Sequence, residues 1–187
     1  MNPPRIWTIG HSTRSLNTFI SLLRHYRIEA IADVRRFPGS RRLPQFAAAQ
    51  LETALAHEGI GYQWFEGLGG RRRATEASAD SAWRNASFRG YAEHLQSEEF
   101  AHALGDLLAL AEARATAMMC AEVLWWRCHR SMISDVLKLK GIEVLHIQDE
   151  QHLTRHPYTS PARLHGDVLS YGDKGMLLKG GTADQRR

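Results

Sequence analysis

Apolar positions recur at two spacings along the chain, one suited to strands and one to helices. Ile6 to Gly10 is a short apolar run that reads as a buried strand. Leu16, Phe19, Ile20, Leu23 and Tyr26 then keep one face apolar, which predicts a helix from about Ser15 to Tyr26. Ile28 to Val34 is a second buried strand, and Gly61 to Phe65 a third. Between them, Phe46 to Glu58 reads as a helix stopped by Gly59, the left-handed position past a helix end. Helical spacing returns over Phe88–Leu95 and Glu98–Ala113. Thr116 to Met119 follows as a fourth strand, and Met132, Ile133, Val136 and Leu137 mark a helix ending at Gly141. Glu143 to Ile147 is the last core strand. Strands alternating with helices predict an α/β fold, a mainly parallel sheet with helices on both faces. Nothing repeats and no boundary splits the chain, so one domain over residues 1–187 is expected. Residues 74–87 lack periodicity and are expected to form a mobile surface loop. Residues 148–187, with Pro157 and Pro161, are expected to be irregular.

Composition narrows the class without choosing a function. With 187 residues, 43% apolar and 24% charged, the chain can bury a full core. No stretch approaches the roughly 18 apolar residues of a membrane span, and the N-terminus carries no apolar signal segment. Two cysteines make no disulfide framework, which points to a reducing, cytoplasmic setting. The net charge of +4 is mild, but Arg35, Arg36, Arg41 and Arg42 cluster, as do Arg71 to Arg73. Such clusters either meet phosphate or lie solvated on loops.

Parallel topology gathers the chemistry. Strand ends of one polarity share one edge, so His11 and Ser12, Asp33 and Arg35, Gly69 and Gly70, and Cys120 and Glu122 are expected along one crevice. Cys128, His129 and Arg130 open the helix behind the last of these strands. The free amides of that helix, with Arg35 and Arg130, suit an anion, and Ser12, Gly69, Gly70 and Cys128 complete the candidate anion-binding set. The candidate catalytic set is Glu122, Asp33, His11 and His129, because carboxylates repel a phosphate unless one of them handles a proton or a hydroxyl.

Each member also has a plainer reading. Asp33 can pair with a nearby arginine, and Glu122 with Arg130. Cys120 reads as a core thiol, and Cys128 as either a nucleophile or a buried side chain. Trp125 and Trp126 either stack on a ligand ring or cover the loop.

Several chemistries are excluded by spacing. A tyrosine-phosphatase-like loop needs five residues between its cysteine and arginine, whereas six separate Cys120 from Arg127. The short cysteine pairs of structural zinc sites are absent, since seven residues separate Cys120 from Cys128. Neither GxGxxG nor GxxxxGK[ST] occurs. No cofactor, zinc or iron is therefore expected, although a metal site of His11, Asp33 and His129 stays geometrically open.

The ordered motifs "TIGHS", "DVRRFPGS", "GYQWFEGLGG" and "CAEVLWWRCHRSMI" resemble the family catalogued as domain of unknown function 488. The likeness runs from about Ile6 to Ile147 and includes Gly10, His11, Ser12, Asp33, Arg35, Gly69, Gly70, Cys120, Glu122, Cys128, His129 and Arg130. It implies a small cytoplasmic bacterial α/β protein and little biochemistry. Some relatives carry DNA-repair labels, and a shorter subgroup is associated with iron. The expectation is an enzyme on a phosphate-bearing ligand, such as a nucleotide or nucleic-acid component, by a hydrolytic or glycosidic step. The alternatives are a non-catalytic nucleotide or nucleic-acid binding module and a metal-binding protein. The partner expected is a small phosphorylated ligand or nucleic acid, with no membrane.

Overall fold

The computed structural model describes residues 4–75, 82–172 and 178–179. Five strands, β1 (Arg5–Gly10), β2 (Ala30–Asp33), β3 (Gly61–Trp64), β4 (Thr116–Cys120) and β5 (Glu143–Ile147), run parallel. An antiparallel strand, β6 (Leu153–Arg155), completes the sheet, whose order is β3-β2-β4-β1-β5-β6. Side chains alternate between two cores, as strands covered on both faces require. In β4, Ala117 and Met119 enter one core and Met118 the other; in β1, Ile9 and Ile6 divide in the same way.

The helices sort by face. α1 (Leu16–His25) and α2 (Ala48–His57) cover one side through Phe19, Leu23, Leu51 and Leu55. α3 (Ala86–His94), α4 (Glu98–Ala113) and α5 (Arg130–Leu139) cover the other through Tyr91, Phe100, Leu107 and Ile133. Their ends follow ordinary capping chemistry. Ser15 accepts the Thr18 N–H at 3.1 Å to start α1, Ser97 accepts the Phe100 N–H at 3.1 Å to start α4, and Gly59 and Gly141 take positive φ beyond α2 and α5.

This order creates a switch point. From β1 the chain steps over β4 to β2 and then β3 through helices on one face. It returns from β3 to β4, and steps over β1 to β5, through helices on the other. Opposite directions on opposite faces are what right-handed crossovers demand. The connections leaving β1 and β4 therefore diverge, and a crevice opens beyond their C-terminal ends. There the two strands stay linked: the His11 and Ser12 N–H groups donate to the Cys120 and Ala121 carbonyls at 3.0 and 2.9 Å.

The sequence pattern anticipates this α/β sheet. Within 74–87, residues 76–81 lie outside the described residues, Thr75 donates to Glu93, and Asn85 caps α3. Beyond residue 148 the chain is less irregular than its sequence suggests, with β6 followed by β7 (Arg163–His165), β8 (Val168–Ser170) and β9 (Leu178–Lys179) as a small antiparallel sheet. Leu169 and Tyr171 join the core around α5, which is buried over Arg130 to Leu137. Short strands without alternation give no sequence signal, and of the three β8 packs on α5.

Gly10 is where the crevice is most tightly built, since an added Cβ would lie 2.0 Å from the Glu122 carbonyl oxygen. Gly10→Ala should destabilise the fold by about 1–3 kcal/mol through overpacking. Thermal denaturation should record a midpoint lowered by about 2–4 °C per kcal/mol. An unchanged midpoint would mean that the loop after β4 is not pinned on β1.

Candidate functional site

Of the sequence-predicted residues, Arg35, Gly70, Cys120 and His129 line one cleft at the crevice, and most of the others are bound to neighbouring groups. Asp33, fully buried, accepts three bonds from the Arg35 side chain, Nε to Oδ1 at 2.9 Å and to Oδ2 at 3.1 Å, and Nη2 to Oδ2 at 2.6 Å. It also accepts the Arg35 N–H at 3.0 Å and the Tyr62 hydroxyl at 2.7 Å. Burial, and then the Asp33 charge, push the Tyr62 hydroxyl well above its ordinary value, so the phenol stays protonated as a donor. Arg35 Nη1 donates to the Phe46 carbonyl at 2.8 Å. Asp33 and Arg35 thus form a closed ion pair that ties the end of β2 to β3 and to the turn at Pro44–Phe46.

His11 is stacked on Phe46, with ring centroids 4.3 Å apart, and its Nδ1 donates to the Ser12 carbonyl at 2.9 Å. Burial holds His11 below the ordinary imidazole value, against the pull of that bond, so the ring is neutral near pH 7. Its Nε2 lies 3.4 Å from Arg35 Nη1. Ser12 adopts a φ of 42°, which turns the chain away from β1.

Glu122 does not pair with Arg130 through its carboxylate. The carboxylate is exposed and accepts the Leu124 N–H at 3.0 Å, while the carbonyl of Glu122 receives Arg130 Nη2. Arg130 is 1% exposed, and among the described residues it has no carboxylate partner. Its Nε donates to the Cys128 sulfur at 3.3 Å, and its Nη1 reaches the Thr8 hydroxyl at 3.5 Å. A buried guanidinium stays charged and needs a countercharge. The sulfur of Cys128 is the ionisable group it touches.

His129 stands on the other side of that sulfur. Its Nε2 donates to the Val34 carbonyl at 2.8 Å, which leaves Nδ1 facing Cys128 Sγ at 3.6 Å. Gly70 makes room for the ring, since a Cβ there would sit 2.7 Å from Nδ1. Gly69 gives the same closeness to the backbone of Arg36, because a Cβ on it would lie 2.8 Å from the Arg36 Cα. Burial alone would push the Cys128 thiol up; the Cys120 thiol bonded to it, the Arg130 charge and His129 outweigh burial and hold it well below the ordinary thiol value. Cys120 is pushed well above that value, first by its bond to Cys128 and then by burial.

These sulfurs and a ring nitrogen of His129 lie within 4.8 Å of one another, close enough to share one ion. The spacing in sequence conceals this set, because β4 and the turn at Trp125–Arg127 fold the seven intervening residues back on themselves. Cys120 and His129 floor a cleft of about 250 Å³, rimmed by Arg35, Arg36, Phe37, Gly70 and Arg71. Arg36 makes only long ion pairs, 3.5 Å to Glu66 and 3.7 Å to Glu99, and Arg71 has no ion pair among the described residues. A wider hollow of about 530 Å³ beside Arg14 and Asp149 holds neither thiol nor imidazole.

Trp125 is buried and stacks on His146 at 4.2 Å with an interplanar angle of 3°, so it covers the interior; Trp126 is exposed. Tyr62, Thr8 and His146 are contacts of the site that periodicity does not reveal. The available signal was a polar side chain within an apolar strand.

A family model described as domain of unknown function DUF488 matches residues 15–137, and the chain belongs to that family. Among curated proteins and among solved structures no significant match is found.

Burial pushes His146 down to about 2, helped by the neighbouring His156 and Arg130, and His11 is lowered by the same first cause. An unfolded histidine takes up its proton near pH 6.5, which these folded rings refuse. Their contribution to stability is thus complete above that pH and is lost as pH falls. For His146 the loss should continue towards pH 2, at about 1.4 kcal/mol per pH unit. Urea unfolding between pH 7.5 and 4 should show a slope that becomes shallower by one proton in His146→Gln. An identical slope in both proteins would contradict the assignment.

Proposed function

We propose that the protein is an enzyme whose working centre is the Cys120–Cys128 pair with His129, acting on a phosphate-bearing ligand such as a nucleotide or nucleic-acid component. The observation that carries this reading is the setting of the Cys128 sulfur, 3.3 Å from a buried guanidinium and 3.6 Å from an imidazole nitrogen. A pair holding one proton places a negative charge directly beside the Arg130 guanidinium. A thiolate beside a positioned imidazole is the arrangement that activates a nucleophile.

The chemistry follows from the placement of the groups. Arg71 and Arg36 meet the anionic part of the ligand, because their guanidinium groups are the least engaged at the rim. Cys120, the sulfur facing the cleft, passes its proton to the Cys128 thiolate as it attacks the electrophilic atom, forming a bond to it as the bond to the leaving oxygen breaks. His129 Nδ1, which faces Cys128, relays that proton from the Cys128 sulfur to the leaving oxygen, and in the second half takes one from the attacking water and returns it to the sulfur pair as Cys120 is released. Asp33 serves by fixing Arg35, and Glu122 by closing its own loop, so the acid–base work falls to His129 alone among the four candidates.

A second reading rests on the three converging donors. A separation of 3.6 Å between sulfur and nitrogen suits two ligands of one tetrahedral ion, with bonds of about 2.3 and 2.0–2.1 Å. The Val34 carbonyl would orient the imidazole, and the open position would face the cleft.

Protein purified without chelator separates these readings. The thiol reading expects one thiolate per chain at pH 7 by ultraviolet absorbance, lost in Cys128→Ser, and no stoichiometric metal. Arg71→Ala should weaken nucleotide binding by about tenfold or more, the worth of a charge-assisted contact. Cys120→Ala should bind the same nucleotide without turning it over. One equivalent of metal that disappears in His129→Ala would favour the second reading. Two ordinary thiols with no metal would sink both.

A further inference from the structure

Beneath the sulfur pair lies a chain of buried polar side chains that the proposed chemistry does not use. The Thr8 hydroxyl contacts His146 Nδ1 at 2.7 Å, His146 Nε2 contacts His156 Nδ1 at 2.9 Å, and His156 Nε2 contacts Asp135 Oδ1 at 2.9 Å. Asp135 accepts three more bonds, from the Thr159 N–H at 2.9 Å, the Thr159 hydroxyl at 2.5 Å and the Tyr171 hydroxyl at 2.8 Å. Thr8, His146, His156 and Asp135 are each at most 1% exposed. Trp125 is stacked on His146 and edge-on to His156 at 5.2 Å. At the other end of the chain, Thr8 meets Arg130 Nη1.

With one hydrogen on each ring, the two ends fix the direction of every hydrogen between them. A guanidinium only donates and a carboxylate only accepts. The Thr8 oxygen therefore accepts from Arg130, and its own hydrogen points to His146 Nδ1. The hydrogen of His146 is then on Nε2, aimed at His156 Nδ1, and the hydrogen of His156 is on Nε2, aimed at Asp135. No donor faces a donor and no acceptor an acceptor. A polarised chain thus runs from the buried cation to a buried anion.

We propose that Asp135, His156, His146 and Thr8 form a positioning relay for Arg130, so that the segment beyond β5 completes the sulfur centre. The relay turns the lone pairs of Thr8 toward Arg130 and gives the guanidinium a remote countercharge in Asp135. Nη1 and Nη2 are thereby held on Thr8 and on the Glu122 carbonyl, and Nε stays on the Cys128 sulfur. His156, Thr159 and Tyr171 lie outside residues 15–137, the span of the family match, yet they anchor the carboxylate on which the chain ends. The four residues act through Arg130 and touch no ligand. The proposal rests on the sulfur-centred reading above for its functional meaning, but its geometry can be tested separately.

Nitrogen-resolved magnetic resonance on the full-length chain at pH 7 tests it. In the wild type, His146 and His156 should each carry hydrogen on Nε2 with Nδ1 bare. Thr8→Val preserves shape and cuts the chain; it should shift the Arg130 Nε–H signal and speed its exchange with water by roughly five- to tenfold, the worth of one neutral hydrogen bond. Thr8→Ser restores the hydroxyl and should return the signal to its wild-type position. A protonated Nδ1 on His146, or an Arg130 signal that is the same in Thr8→Val as in the wild type, would overturn the relay. If Cys128 in the wild type proves to be an ordinary thiol by absorbance, the sulfur-centred function fails, while the Arg130 signals still decide the relay. Asp135→Asn, at the far end of the chain of contacts, should also move the Arg130 signal; should that variant not fold, the two Thr8 variants settle the question.

Discussion

A guanidinium cannot shed its charge at any pH the protein meets, and Arg130 is buried in the middle of the fold without a carboxylate beside it among the described residues. Much of the surrounding structure answers that one constraint. A carbonyl, a hydroxyl and a sulfur occupy its donors. The carbonyl is available because Gly10 lets the loop after β4 lie directly on β1. The sulfur lies well below the ordinary thiol value largely because its partner thiol and the cation are there. Removing the charge would leave several groups arranged around nothing.

The topology explains why such a centre sits where it does. β1 and β4 are neighbours whose following segments leave for opposite faces, so neither covers the strand ends. Cys120 ends β4, the turn at Trp125–Arg127 brings the chain back, and Cys128 and His129 precede α5 over the same gap. On the flank, the Asp33–Arg35–Tyr62 cluster locks β2 to β3 and fixes the wall that carries the rim arginines.

Two of the carboxylates that the sequence offers for proton transfer have other work. Asp33 is neutralised from three directions, and Glu122 lies outside the cleft on an exposed loop. A second deep carboxylate is Asp135, on α5 and away from the sheet edge that sequence reasoning singled out. It lies between Ser134 and Val136 on a helix whose residues are nearly all buried, and an acid in that position needs several donors. The tail supplies them.

The alternation of apolar runs with helical spacing was enough, by itself, to determine the mainly parallel α/β sheet, its two covered faces and the edge where Arg35, Gly70, Cys120 and His129 line a cleft. Those features depend on local periodicity and on the handedness of crossovers, both of which are written along the chain. Which groups pair inside the crevice was decided only in three dimensions. Arg130 chose the carbonyl of Glu122 over its carboxylate, the seven residues between the cysteines folded so that two distant sulfurs meet, and Thr8, His146 and His156 joined across the sheet from separate strands and loops. Such pairings are set by distances of a few ångströms between elements, and spacing along a sequence carries no measure of them.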